Sequence, residues 1–162
     1  MKNFKEFIIF DVWCKFSESV NIFQWTTEGN VSLPSLDFPF LEKWLIEVAN
    51  RHKMLVGDIN YIFCDDSTIL KVNREFLNHD YFTDIITFDR SGRGIIRGDI
   101  YLSLDTVESN SEQLNQEYGT ELLRVIVHGL LHLCGINDKG PGEREEMELE
   151  ENKALDLYIS MT

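Results

Sequence analysis

The segment Glu121-Leu122-Leu123-Arg124-Val125-Ile126-Val127-His128-Gly129-Leu130-Leu131-His132-Leu133-Cys134-Gly135 decides the fold. Leu122, Leu123, Ile126, Val127, Leu130, Leu131 and Leu133 make the helix it predicts apolar nearly all round, so that helix has to be central and buried. Thr120 is expected to cap its start and Gly135 to stop it. Beyond Gly140, Pro141 and Gly142 a last helix follows, with Met147, Ala154, Leu155 and Tyr158 on its inner side. Its Glu143, Glu145, Glu146, Glu148, Glu150 and Glu151 read as a solvated face.

Upstream, Ser103 to Tyr118 is polar and helix-compatible at best. Ile85 to Phe88 and Arg97 to Ser103 are β-rich runs joined by a segment with two glycines, which makes them neighbouring strands. Asp58 to Cys64 alternates like a strand, and Asp66 or Ser67 can cap a short helix through Leu70, Val72, Asn73 and Phe76. Phe40, Leu41, Trp44, Leu45, Val48, Ala49 and His52 recur at helical spacing after a loop from Glu28 to Pro39. His52 ends that face and is read as a capping or packed residue. Val20 to Trp25 reads as a first strand, and residues 1–19 as an N-terminal extension open to poor order. The mixture lacks strict βαβ alternation. The expected fold is therefore a single α+β domain, a small mixed β-sheet covered by helices, occupying residues 20–162.

Composition bounds the function. With 162 residues and 43% hydrophobic content, the chain can bury one core and is too short for two ordinary domains. It contains no apolar run of membrane-spanning length, and Met1 to Phe10 lacks the features of a secretory signal. A cytoplasmic location with no membrane association is expected. Cys14, Cys64 and Cys134 form no CxxC pair and are read as small apolar residues. A net charge of -13 is the opposite of a global phosphate-binding footprint, although Arg90, Arg93 and Arg97 leave room for a local basic patch.

His128 and His132 stand four apart on the buried helix, so both imidazoles leave one face and can meet one ion at about 2.0–2.1 Å. Gly135 turns the chain, and Asp138 can swing back with an oxygen ligand. This places two ligands on a helix and one past its terminating glycine, as in the metalloprotease helix HExxHxxGxxH. The general-base glutamate of that helix is missing, because Gly129 follows the first histidine. Metal-assisted hydrolysis is expected, with proteolysis disfavoured.

At these residues the chain resembles a known family. His128-Gly129-Leu130-Leu131-His132-Leu133-Cys134-Gly135 is similar to the HGxLHLxG signature of the YbeY family of bacterial endoribonucleases, also described as rRNA maturation factors. Asn73-Arg74-Glu75-Phe76 with Asp80, and Thr83 to Phe88, resemble its NxxY and TDVLSF segments, and Gly98-Asp99-Ile100 looks like its GDI strand. The match runs from about residue 20 to the C-terminus. It implies one Zn2+ ion held by His128, His132 and Asp138, with Asp138 standing where the family usually has a third histidine. It also implies hydrolysis of single-stranded RNA in 16S rRNA 3′-end maturation and ribosome quality control, with small-subunit ribosomal proteins or an assembly GTPase as further partners. The family's arginine after the NxxY tyrosine is Leu77 here, so its substrate role passes to Arg74 or to Arg90, Arg93 and Arg97, or is lost.

The general base stays open among Asp84, Asp99 and Glu143, and Asp84 and Asp99 equally suit turns and sheet edges. His79, beside Asp80, reads as structural or substrate-facing. Two other classes compete: a metal hydrolase of another substrate, and a non-catalytic assembly factor whose metal only staples the C-terminal helices. The latter requires a fourth protein ligand, such as Cys134 or a glutamate.

Overall fold

The computed structural model describes residues 22–162. The extension expected over residues 1–19, Cys14 with it, and the start of the expected first strand at Val20 and Asn21 lie outside the described residues. In chain order the elements are β1 (Phe23–Glu28), α1 (Phe38–Arg51), β2 (Leu55–Cys64), α2 (Asp66–Leu77), β3 (Ile85–Asp89), β4 (Ile95–Ser103), α3 (Leu104–Gln113), α4 (Tyr118–Leu133) and α5 (Glu143–Met161). The strands form one sheet in the order β1-β2-β4-β3, parallel except for β3 against β4. This is the helix-covered mixed sheet of an α+β domain.

Alternation along β4 sets the two faces of the sheet. Ile96, Ile100 and Leu102 are fully buried in the main core, together with Ile126, Leu130 and Leu131 of α4. Tyr101, of opposite parity, belongs to a second, smaller cluster with Ile69 and Val72 of α2. α4 therefore fills the space between the sheet and α1, α3 and α5. Buried polar atoms on these elements are partnered across them: the Trp44 indole donates to the Ala154 carbonyl at 2.8 Å, and the Tyr61 hydroxyl to that of Ile126 at 2.8 Å.

Element ends depart from expectation for local reasons. α1 starts at Phe38, because Asp37 accepts from the Phe40 N–H at 3.0 Å and Pro39 sits in the first turn, where its missing N–H costs nothing. α3 is a full helix, capped by Ser103. α4 begins at Tyr118, which puts Thr120 inside the first turn instead of at the cap. β1 runs on to Glu28 because parallel pairing with β2 continues to Cys64. The β3–β4 hairpin closes at Arg93 and Gly94, both at positive φ, with Gly92 and Ile95 exchanging backbone hydrogen bonds. That is the primed turn whose twist suits a hairpin.

α2 is capped by Asp65, not by Asp66 or Ser67. One Asp65 oxygen accepts from the Thr68 N–H and the other from the Asn30 N–H, each at 2.9 Å, so the cap also ties down the loop after β1. Asp65→Ala is expected to cost about 1 kcal/mol, measured as a lower urea midpoint. The bonds from Thr68 and Asn30 hold the carboxyl well below the usual carboxylate range. Its contribution is thus complete above about pH 4 and is lost as pH falls toward the folded value, where the parent and variant midpoints should converge.

Candidate metal centre

The C-terminal end of α4 builds the centre. Gly135, at φ +93°, is the left-handed residue that ends the helix, with the Gly135 N–H donating to the His132 carbonyl and the Ile136 N–H to that of Leu131, both at 3.0 Å. This turn aims the Ile136 carbonyl back at His132 Nδ1, 2.9 Å away, and returns the chain so that Asp138 meets the histidines. His128 Nε2 and His132 Nε2 lie 2.9 Å apart, with Asp138 Oδ2 at 3.4 Å from the first and 3.5 Å from the second. Among the described residues these three form the group able to hold a metal, their ligand atoms all within 4.8 Å of one another.

The other ring nitrogens show that the donor set suits a cation. His128 Nδ1 is 2.6 Å from Glu151 Oε1, and His132 Nδ1 faces a carbonyl. A carboxylate and a carbonyl only accept, so each Nδ1 carries the hydrogen. Each neutral ring then turns a bare Nε2 lone pair toward the same point, where Asp138 adds a carboxylate oxygen. Two nitrogens this close call for a cation between them, a proton or a metal ion, and two imidazoles with a carboxylate are a donor set that fits a divalent first-row metal.

The surroundings are strongly charged. Burial disfavours the His128 imidazolium, but Glu151, Asp84 and Asp138 outweigh it and leave His128 raised; burial and the neighbouring His128 charge lower His132. Burial works against the Glu151 carboxylate as well, yet His128 and Arg124 hold it below its usual range. Asp84 is pushed up by burial, with His128 opposing. Its backbone carbonyl accepts from the Ser103 N–H at 2.8 Å, and its side chain receives Asn110 at 3.4 Å.

Gly129 has a packing reason. A Cβ there would sit 2.9 Å from Ile100 Cγ2 and 2.9 Å from Ile85 Cδ1, because α4 presses on β3 and β4 at this residue. A general-base glutamate at position 129 has no room.

The remaining sequence-predicted residues lie elsewhere. Asp99 is on the sheet face away from α4, in a groove with Asn60, Phe76, Phe88 and Tyr101. Arg90 bridges Asp58 at 2.9 Å and Asp99 at 3.3 Å, and Arg97 pairs with Asp58 at 3.4 Å. Arg93 is exposed at the hairpin turn, Arg74 pairs with Asp80 on the exposed side of α2, and Leu77 is exposed at that helix's end. Glu143 accepts from the Gly140 N–H at 2.6 Å. His52 caps α1 and pairs with Glu150, and His79 contacts the Tyr81 hydroxyl. Burial pushes the Cys134 thiol up to about 12, and Cys134 stays outside the ligand group. Glu151 was not singled out from sequence. The available signal was its spacing, four residues after Met147 and four before Leu155, on the inner stripe of α5.

Fold and site together define a small α+β protein with a helix-borne two-histidine, one-carboxylate centre of the hydrolase layout. The model of the family described as Endoribonuclease YbeY matches residues 35–158. The Endoribonuclease YbeY of Phocaeicola vulgatus is 59% identical over 131 residues, covering 81% of this chain and 94% of that protein. That of Porphyromonas gingivalis strain W83 is 51% identical over 125 residues, covering 77% and 83%. The solution structure of a Thermotoga maritima protein aligns with a TM-score of 0.56 at 26% identity, over 86% of this chain and 90% of that one. The chain belongs to the YbeY endoribonuclease family, as its motifs indicate. Among the described residues, no helix is long and apolar enough to cross a membrane.

Proposed function

We propose that this chain is a zinc-dependent endoribonuclease specific for single-stranded RNA, acting in 16S rRNA 3′-end maturation and ribosome quality control in the cytoplasm. The observation that carries the reading is the convergence of His128 Nε2, His132 Nε2 and Asp138 Oδ2 in a chain of this family. When bound there, zinc supplies Lewis acidity that acidifies water and offsets charge growing on phosphoryl oxygens. Three protein ligands suit a catalytic zinc, whereas a structural zinc takes four. Asp84 is our candidate for the proton-carrying carboxyl, a reading supported by the burial that pushes it up and by the His128 charge it feels. Arg74, Arg90, Arg93 and Arg97 are outside this cluster and serve as contacts to the RNA backbone at a distance from the scissile bond. Small-subunit ribosomal proteins or an assembly GTPase are the further partners this reading implies.

The test is the metal content of protein purified without added metal, together with cleavage of single-stranded against duplex RNA. One zinc per chain and cleavage of the single strand alone are expected; equal cleavage of both RNAs would overturn the substrate reading. Asp138→His replaces an oxygen ligand with a softer imidazole. Competition between zinc and manganese for the site, followed by metal analysis, is expected to shift toward zinc.

A further inference from the structure

We infer that Glu151 is a positioning residue that fixes the ring of His128 for the ion, and that Arg124 in turn holds Glu151. The inference rests on the metal-centre reading above. In the acidic run of α5, Glu151 is the glutamate that turns inward, 8% exposed, and both of its oxygens are used. Oε1 faces His128 Nδ1 at 2.6 Å, and Oε2 accepts from Arg124 Nη1 at 2.9 Å. Arg124 spends a second nitrogen on Asn152 Oδ1 at 3.0 Å. Arg124 and His128 are one helical turn apart on α4, so a guanidinium and an imidazole grip one carboxylate of α5 from the same face.

A salt link between two helices would be complete with Arg124 and Glu151 alone. The second oxygen at the imidazole does something else: it commits the hydrogen to Nδ1 and leaves Nε2 as the lone pair for a cation. His132 receives the same service from the Ile136 carbonyl, part of the backbone turn at Gly135. Glu151 is accordingly the side chain on which ligand orientation depends, and the C-terminal helix belongs to the metal centre. Glu150 offers a contrast within the same helix, because it pairs with His52, which among the described residues belongs to no metal-ligating group.

The experiment titrates Co2+ into the full chain as parent, Glu151→Gln, Arg124→Gln and Glu150→Gln. Affinity is read by chelator competition, ligand geometry by the visible d–d bands, and fold by thermal unfolding of the metal-free proteins. Glu151→Gln keeps the shape of the side chain and is expected to weaken Co2+ roughly 10- to 100-fold and alter the visible bands, with a near-parental unfolding midpoint. Arg124→Gln should weaken it less, and Glu150→Gln not at all. Parental affinity and bands in Glu151→Gln would overturn the inference. So would affinity losses that merely follow the unfolding midpoints of Glu151→Gln and Arg124→Gln. A parent that binds no Co2+ fails earlier, at the metal centre itself, and takes the inference with it.

Discussion

His128→Ala is expected to abolish both stoichiometric metal binding and RNA cleavage. The variant keeps His132 on α4 and Asp138 beyond the Gly135 turn, and two ligands hold an exchangeable ion far less tightly than three. It also strips Glu151 of one partner, leaving a nearly buried carboxylate supported by Arg124 alone. Metal analysis of the purified variant and electrophoresis of single-stranded RNA products check the two losses separately. Full cleavage without bound metal would sink the mechanism. Because α4 keeps its apolar residues, the variant should still unfold cooperatively, which separates loss of chemistry from loss of fold.

The second large effect is on stability. Gly98→Ala on β4 would place a methyl 2.6 Å from the Phe88 carbonyl and 2.8 Å from Leu133 Cδ2. The carbonyl belongs to the β3–β4 ladder and Leu133 is buried at the end of α4, so neither can yield freely. A destabilisation of about 2–3 kcal/mol is expected. That corresponds to a fall in Tm of roughly 4–12 °C for a domain of this size. Calorimetry measures it, and an unchanged midpoint would show that β3 shifts at little cost. Gly129→Ala is the milder comparison, because the new methyl meets side chains and no backbone atom, and alanine also favours the helix.

Much of the centre was legible because its ligands are local. Histidines four apart on an apolar helix share a face whatever surrounds the helix, and Gly135 followed by Asp138 needs only a turn. The strands could be counted and the β3–β4 pair joined, but the parallel neighbours and the face on which α4 lies are long-range facts. Alternation puts Asp99 opposite Gly98 and Ile100, yet only the packing of α4 tells that the candidate centre lies on the side of the latter pair. Glu151 was hidden for a different reason: an acidic run makes one inward glutamate look like its neighbours, and the apolar stripe was read without it. Asp65, Asp66 and Ser67 are all capping residues, and Asn30, distant in sequence, helps settle which one caps.

The left-handed turn at Gly135 has a consequence for how the protein assembles. His128, His132 and Asp138 lie on one short continuous stretch, so closing it costs little chain entropy. β1, β2 and β4, by contrast, are parallel neighbours joined by long crossovers, the slowest kind of contact to form. The ligand atoms can thus find one another while the sheet is still unpaired. Glu151 comes from the last helix, so the His128 ring depends on a contact of longer range than those that join the three ligands.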